Sequence, residues 1–242
     1  EPLTYVAAPT ARTVDFRGYA YARTTSDVSG ALMTRYDETT PQIWKVPLKD
    51  DIRPGVIVEA PGVGYLVPAA DASWVAAVLK THGVEYRLLG KPWQGDAEAF
   101  RASKSSFGTG SVETHQRLTV EGSWQHEARG VSTGSLFVPI AQAKSRLVMA
   151  LLEPLAPDSL LAWGRFNNAF ERKEYMEDYV AESVAREMLR DPTVKAEFEK
   201  KLRDDKAFAA DPAARLEFFY RRHPSWDERY QLYPVLRVDT AP

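Results

Sequence analysis

The chain contains one His-x-x-Glu sequence, His82-Gly83-Val84-Glu85, whose end residues are of types that bind zinc. Two ligands at this spacing would need a third histidine from elsewhere in the chain. Gly83 is typical of a helix end, so His82 should end a helix and Glu85 should lie in the following strand. Because side chains on different elements have no reason to converge on one ion, we predict no metal site here.

His115 and His126 fall in two neighbouring predicted strands, residues 113–120 and 123–129. The two imidazoles could therefore lie near each other, but no carboxylate pair accompanies them at a ligand spacing. The sequence favours a surface role for both.

The fourth histidine, His223, is close to Ser225 and Asp227, which together are the residue types of a catalytic triad. Triad residues converge from separated parts of a fold, and neighbours on one stretch cannot take that geometry. We therefore predict no catalytic residue in this chain.

The segment 220–227 is the densest group of candidate binding residues, namely Trp226, Arg222, His223 and Asp227. An exposed segment would form an interaction patch. A segment folded back would bury Trp226, with Arg221 or Arg222 paired to Asp227 or Glu228. The second interpretation is favoured, because an aromatic body with a polar tip commonly buries in this way.

Glycine-rich segments do not have the spacing of nucleotide sites. Gly62-Val63-Gly64 precedes an apolar strand, whereas a dinucleotide site needs the strand first and a third glycine. Residues 103–110 are small and polar, and they are most simply a surface loop.

The composition excludes several classes of function. With 31 Lys and Arg against 33 Asp and Glu, the chain has no basic field for nucleic acid or an anionic membrane. It has no cysteine, which removes thiol nucleophiles and disulfides. The longest apolar run, residues 148–152, is too short to span a bilayer, and the first residues do not resemble a signal peptide.

Hydrophobic patterning predicts an α/β protein. The first 60 residues indicate strands at 14–21, 43–48 and 56–60. An apolar strand at 64–68, a helix that Asp71 could cap, and a strand at 84–89 together predict a βαβ unit with parallel strands.

Residues 134–152 repeat this order, with an apolar strand that ends in Val-Pro and then an amphipathic helix. We interpret the two passages as strand-to-helix units entering one sheet, and an internal duplication stays an alternative. Beyond residue 157 the pattern is helical, with a helix at 171–190 and helix starts at Asp191-Pro192 and Asp211-Pro212.

The fold class we predict is therefore α/β, with a β-rich N-terminal part, a central βαβ-type sheet with parallel strands and a helical C-terminal part. The predicted domains are residues 1–156, a β-rich and α/β sheet region, and residues 157–242, a helical region packed on it.

Two strings in the C-terminal half are distinctive: residues 151–175, with Trp163-Gly164 and Phe166-Asn167-Asn168-Ala169-Phe170-Glu171, and residues 219–227, Phe-Tyr-Arg-Arg-His-Pro-Ser-Trp-Asp. They resemble the region after the catalytic domain in bacterial proteins of the M14 zinc carboxypeptidase-like family. The earlier segments 18–21, 34–37 and 64–69 fit the same region, so the resemblance covers nearly the whole chain.

The resemblance is to the accessory half of those proteins alone. It implies zinc in a catalytic domain outside this chain, that peptidase domain as the partner, and a periplasmic or secreted location. It carries no catalytic residue onto this chain, because the family's zinc ligands and general base have no matching positions here.

Three classes of function follow as expectations. The first is a non-catalytic accessory domain that packs on the peptidase domain or guides its peptide substrate, with an exposed apolar or aromatic patch. The second is an independent hydrolase with a site at the C-terminal ends of the parallel strands, near Pro68 and Pro139. The third is a wall- or glycan-binding module, for which Trp44, Trp93 and Trp124 would form an exposed row.

Overall fold

The computed structural model describes residues 1–173 and 175–242, which form two units, Glu1–Glu59 and Ala60–Pro242. Strands make up 39% of the structure and helices 26%. All strand pairings among the described residues are antiparallel. The predicted α/β class with parallel strands is therefore wrong, and the protein is β-rich with an antiparallel sheet.

The first unit consists of two antiparallel pairs of strands. Its strands are β1 (Tyr5–Ala7), β2 (Arg12–Thr25), β3 (Leu32–Leu48) and β4 (Ile52–Pro54). β1 pairs with β4, and β2 pairs with β3 as a long hairpin. The Ser26 hydroxyl accepts hydrogen bonds from the amides of Val28 and Ser29 in the turn, and Gly30 takes the positive φ of 69° that closes it.

The second unit is built on a six-stranded sheet with the order β6-β9-β5-β10-β7-β8. Its strands are β5 (Gly64–Val67), β6 (Arg87–Leu88), β7 (Trp93–Val112), β8 (His115–Val131), β9 (Leu136–Pro139) and β10 (Leu232–Val238). Its helices are α1 (Ala69–Thr81), α2 (Ser145–Leu152), α3 (Asp178–Met188), α4 (Pro192–Asp204), α5 (Lys206–Ala210) and α6 (Pro212–Tyr220), with a 3₁₀ turn at Asn167–Ala169.

The predicted βαβ unit with paired parallel strands does not form, because β5 and β6 are not neighbours in the sheet. β5 and β6 flank β9, which is antiparallel to both. The two similar Val-Pro strands thus pair with each other, with Gly64 opposite Pro139 and Val67 opposite Leu136. This arrangement corrects the parallel pairing, because the intervening strand comes from a later segment that local pattern could not place.

Residues 103–110 lie in β7 and not in a loop, which corrects the sequence interpretation. β8 pairs with this segment, with register shifts at Ala102/Lys104 and Phe107/Ser111. The pairing supplies hydrogen-bond partners to the backbone of a segment whose residues have poor strand propensity. The turn lies at Glu113 and Thr114, both with positive φ. His115 and His126 consequently share one strand, β8, and do not lie in two strands.

The C-terminal part is helical only in part. The predicted helix starts are confirmed: Asp191 and Asp211 accept hydrogen bonds from the first amides of α4 and α6. The predicted helix at 171–190 is shorter, Asp178–Met188, and Tyr179 is exposed on it. The chain then returns as β10 to the centre of the sheet, between β5 and β7.

Two of the apolar cores among the described residues of the second unit help to hold it together. One lies on the sheet and contains fully buried rings, Tyr65, Phe100, Phe166 and Tyr233 among them. The other joins α3 to α6 through Ala185, Phe198, Phe208, Phe218 and Phe219. The sheet core also buries one charged pair, Glu153 and Arg237.

Candidate functional sites

A cavity of about 730 Å³ opens in the second unit, and we call it the β10 cavity. Parts of the segments 68–71, 129–132, 168–173 and 227–236 line it. These segments are the start of α1, the end of β8, the 3₁₀ turn region and the entry to β10. Its volume lies within the ~300–1,000 Å³ of pockets that hold small ligands.

The lining of the β10 cavity combines apolar walls with charges of both signs. Pro68, Ala69, Leu232 and Pro234 supply partly exposed apolar surface. The charged residues are the cations Arg129, Lys173 and Arg229 and the carboxylates Asp71, Glu171 and Asp227. The described residues of the lining thus carry three charges of each sign, so they suit a ligand that is itself partly charged and partly apolar.

Asp71 lies in the first turn of α1, half-buried at the cavity wall. Its Oδ1 accepts a hydrogen bond of 3.2 Å from the indole of Trp74. Burial raises the pKa of the Asp71 carboxyl above its ordinary value, against the smaller lowering by that hydrogen bond. The carboxyl therefore accepts a proton more readily than an exposed aspartate does.

Arg129 is incompletely paired by the protein. Its Nη2 forms an ion pair with Glu127, which also binds Arg101. Its Nε is buried and has no hydrogen-bond acceptor among the described residues. A buried donor without an acceptor costs about 1–3 kcal/mol, so the unpaired Nε lowers the stability of this part of the sheet.

The wall between Tyr230 and Leu232 is held in an uncommon backbone conformation. Gln231 has a φ of 61°, which is rare for a residue other than glycine. Its amide donates to the carbonyl of Ala169 and its carbonyl accepts from the amide of Ala102, both at 2.9 Å. The two bonds fix the turn that presents Tyr230 to the cavity.

Trp226, a predicted binding residue, lies beside a second concavity of about 460 Å³. Its ring packs edge-on between Tyr220 and Tyr230, with centroid distances of 5.1 and 5.8 Å. The guanidinium of Arg221 stacks over it at 5.1 Å. Trp226 is thus half-buried, with an aromatic packing role and one accessible side.

Of the other three predicted binding residues, Asp227 lines a small pocket together with Trp226, whereas Arg222 and His223 contact other groups. Arg222 turns to α4, where it pairs with Glu197 at 2.8 Å, and it stacks on Phe218. His223 Nδ1 contacts the Ser225 hydroxyl at 2.8 Å. Asp227 lines the β10 cavity and accepts from the Arg229 amide.

The expected ion pairs of this segment form with other partners. Arg221 pairs with Glu217 and Arg222 with Glu197, in place of Asp227 or Glu228. The sequence could not show this, because Glu217 and Glu197 lie on helices whose packing brings them to the segment.

The remaining histidines have separate surroundings. The carbonyl of His82 accepts a hydrogen bond from Lys144, and the ring of His115 packs on Trp163. His126 Nδ1 lies 2.8 Å from a carboxylate oxygen of Asp96. Among the described residues no group of three or more His, Asp or Glu side chains is placed to hold a metal ion.

The first unit carries an exposed aromatic cluster on its hairpin, formed by Phe16, Tyr21, Tyr36 and Trp44, which we call the hairpin surface. Phe16 stacks on Trp44 at 6.2 Å, and the rings of Tyr21 and Tyr36 each lie 5.9 Å from it. Phe16, Tyr21 and Tyr36 remain more than half exposed.

Gly18 is required for this cluster, because a Cβ there would lie 2.5 Å from the Trp44 ring. The indole also donates to the carbonyl of Tyr19 at 3.1 Å. These two contacts hold Trp44 in place among the exposed rings.

Trp93 and Trp124 are not neighbours on the sheet of the second unit. Trp44 belongs to the first unit, whereas Trp93 and Trp124 belong to the second. Trp124 lies opposite Phe100, seven pairs along the β7–β8 ladder from Trp93, a separation of roughly 23 Å at ~3.3 Å per residue. Arg237 covers the Trp124 ring at 4.3 Å.

Sequence reasoning missed most of the β10 cavity, since its charged residues come from four distant segments. Its pointers were Pro68, considered as the end of a parallel strand, and Asp227, a predicted binding residue. Because β5 and β9 are antiparallel, Pro68 and Pro139 lie at opposite ends of the pair, and only Pro68 lines the cavity.

No helix among the described residues is long and apolar enough to cross a membrane. Comparison of the chain with protein-family models, curated proteins and solved structures gives no match.

Proposed function

We propose that this chain is a non-catalytic accessory domain of an M14-like zinc carboxypeptidase in the periplasm or outside the cell. In this proposal it packs on the peptidase domain, which binds the zinc, and helps to guide the peptide substrate. The resemblance of residues 151–175 and 219–227 to the accessory region of that family is the sequence support.

The observation that carries the proposal is the hairpin surface. Most of the exposed large apolar side chains among the described residues lie in the first unit, whose buried apolar residues are Ala8 and Val58. A two-stranded ribbon is marginally stable in water unless it packs on another layer. Exposed apolar patches commonly mark protein–protein contact sites, so a partner domain that covers these rings would supply the missing layer.

The alternative of an independent hydrolase loses its main support. That site was placed at the ends of parallel strands, and no parallel pair occurs among the described residues. The glycan-binding alternative loses part of its support, because Trp93 and Trp124 lie far apart on the β7–β8 ladder.

Binding to the peptidase domain tests the proposal. The chain would be mixed with the M14 catalytic domain of the parent protein and the complex measured by sedimentation velocity. We expect binding by the unaltered chain and at least tenfold weaker binding by the double variant Phe16→Ser, Tyr36→Ser, because each change removes an exposed ring from the contact.

Val28→Ser is the matched control, since Val28 is 93% exposed at the tip of the same hairpin and outside the ring cluster. Circular dichroism and melting would establish that all variants fold. Equal binding by the double variant would exclude the hairpin surface, and no binding by any form would overturn the proposal.

The chain alone would also be assayed for retained zinc and for hydrolysis of a C-terminal reporter peptide. We expect neither. Stoichiometric zinc with turnover would show that this chain is itself the enzyme.

A further inference from the structure

We infer that the concavity of about 460 Å³ beside Trp226, which we call the Trp226 cavity, binds a neutral sugar unit of a glycan chain. Parts of the segments 101–103 on β7, 122–125 on β8 and 221–231 before β10 line it. Its volume lies within the ~300–1,000 Å³ of pockets that hold small ligands. The inference goes beyond the proposed function, because this cavity lies in the second unit and the hairpin surface in the first.

Two unusual backbone features meet at the Trp226 cavity. Strand β7 shifts its register at Ala102/Lys104, and Gln231 takes a positive φ of 61°. The amide of Ala102 donates to the carbonyl of Gln231 at 2.9 Å, so the two features are directly bonded. Strand irregularities and residues at uncommon φ are concentrated at functional sites, where the surrounding structure maintains their strain. The backbone therefore marks this cavity as a candidate binding site.

Two aromatic rings form the apolar part of the Trp226 cavity. Trp226 and Tyr230 both line it, both are partly exposed, and their ring centroids lie 5.8 Å apart. The face of an aromatic ring carries a partial negative charge, which attracts the slightly positive C–H groups on the face of a sugar ring. The rings thus fit a ligand that has an apolar face.

Neutral polar side chains form the rest of the lining. Ser103, Ser123 and Gln125 are exposed there, and Gln231 is partly exposed. The amide nitrogen of Gln231 lies 3.5 Å from the Ser105 hydroxyl, too long for a strong hydrogen bond, so this amide can still bind a ligand. Hydroxyl and amide groups both donate and accept hydrogen bonds, as the hydroxyl groups of a sugar do.

The charges of the cavity favour a neutral ligand. Arg101 binds Glu127 through Nε and Nη2, and Arg221 pairs with Glu217. An anionic ligand would therefore compete with carboxylates that these arginines already bind. A purely apolar ligand would bury the serine and glutamine side chains without hydrogen-bond partners. A neutral sugar avoids both costs.

Titration with neutral and acidic saccharides tests the inference. Cellotetraose, the tetramer of N-acetylglucosamine and tetragalacturonate would each be titrated into the unaltered full chain by calorimetry, without the peptidase domain. We expect at least one of the two neutral tetrasaccharides to bind with a Kd below about 1 mM. Tetragalacturonate, with its four carboxylates, should bind at least about tenfold more weakly, because the arginines already have anionic partners.

NMR of the indole N–H groups locates the binding site. The signal of Trp226 is identified by its absence in Trp226→Phe, a change that keeps an aromatic ring against Tyr220 and Tyr230. The bound tetrasaccharide should shift this signal. The signal of Trp93, assigned in the same way with Trp93→Phe, should stay in place because Trp93 does not line the cavity.

Gln231→Gly separates binding from folding. Glycine adopts a positive φ without strain, so the variant should be at least as stable as the unaltered chain in urea. The lost amide should nevertheless weaken binding of the neutral tetrasaccharide about fivefold. A merely structural role of Gln231 would not give this combination.

Gln125→Ala should also weaken binding about fivefold, since it removes a second amide from the lining. Gln94→Ala is the matched control, because Gln94 is an exposed glutamine on β7 that does not line the cavity. It should leave binding unchanged.

A Kd above 1 mM for both neutral tetrasaccharides would overturn the inference. So would tighter binding of tetragalacturonate, or undiminished binding by Gln231→Gly and Gln125→Ala. Because the saccharides are added to the chain alone, failure here leaves docking through the hairpin surface unaffected, and failure of docking leaves the saccharide titration unaffected.

Discussion

The guanidinium of Arg237 donates two hydrogen bonds to the carboxylate of Glu153, from Nε to Oε1 at 2.9 Å and from Nη2 to Oε2 at 2.7 Å. Both side chains are buried, and the hydroxyl of Tyr65 donates to the same Oε1 at 2.5 Å. Arg237 lies on β10, Tyr65 on β5, and Glu153 directly after α2. This network ties the C-terminal strand to the centre of the sheet and to the helix beside it.

Arg237→Met should destabilise the protein by about 3–5 kcal/mol, because it leaves the Glu153 charge buried without its cation. The free energy of unfolding in urea measures the loss. Lys104→Met is the control, since it breaks an exposed pair with Glu121 and should change stability by at most ~1 kcal/mol. If both variants lose the same free energy of unfolding, the buried pair contributes no more to stability than the exposed pair does.

The free energy of unfolding should fall as the pH rises above 10, because the pKa of Tyr65 differs between the folded and the unfolded chain. Burial, with the adjacent Glu153 charge, raises the Tyr65 pKa above its ordinary value of 10.0. The folded protein keeps this proton where the unfolded chain has released it, so stability is full below pH 10 and is lost as the pH rises further.

Tyr65→Phe removes this titration, and we expect its unfolding free energy to fall less steeply above pH 10, by about 1.4 kcal/mol per pH unit. Urea unfolding between pH 8 and pH 11 measures both slopes. Parallel curves for the two proteins would contradict the raised pKa.

Gly122→Ala should destabilise the sheet by about 1–3 kcal/mol through overpacking. A Cβ at this position of β8 would lie 2.3 Å from the carbonyl oxygen of Arg101 and 2.8 Å from the ring of Phe100. Gly110→Ala, on β7, is the matched control because its Cβ would meet nothing within 4 Å. Thermal unfolding of both variants tests the difference, and a control as damaging as Gly122→Ala would refute the steric explanation.

His126 should titrate above its ordinary pKa because of its hydrogen bond with Asp96, with the Asp96 charge as the next cause. In Asp96→Asn the pKa should move down towards 6.5, as followed by NMR of the imidazole. Asp158→Asn, which removes a carboxylate that does not contribute to this pKa, should leave it unchanged. Since folding raises the pKa, the contribution of this pair to stability is present at low pH and is lost as the pH rises through the folded pKa.

Local features of the structure could be predicted where the sequence carries its own signal. Asp191-Pro192 and Asp211-Pro212 begin helices, and Gly83 takes a φ of 60° after α1. Each depends on interactions within a few residues, such as a side-chain cap or the freedom of glycine at positive φ.

Strand neighbours could not be predicted in this way. An apolar strand, a helix and another strand in succession predict that the two strands pair in parallel. In the structure β9 lies between β5 and β6 instead, because its own apolar residues complete that part of the sheet. Likewise residues 103–110 look like a loop by composition, and only the long partner β8 makes them a strand.

The sequence by itself determined the helix starts and the types of residue available for chemistry. Only the tertiary structure decided the antiparallel sheet, the burial of Glu153 with Arg237, and the β10 cavity with Asp71, Arg129 and Arg229 on its walls. The physical reason is that capping and turn geometry are local energies, whereas strand order and charge burial depend on contacts between segments far apart in the chain.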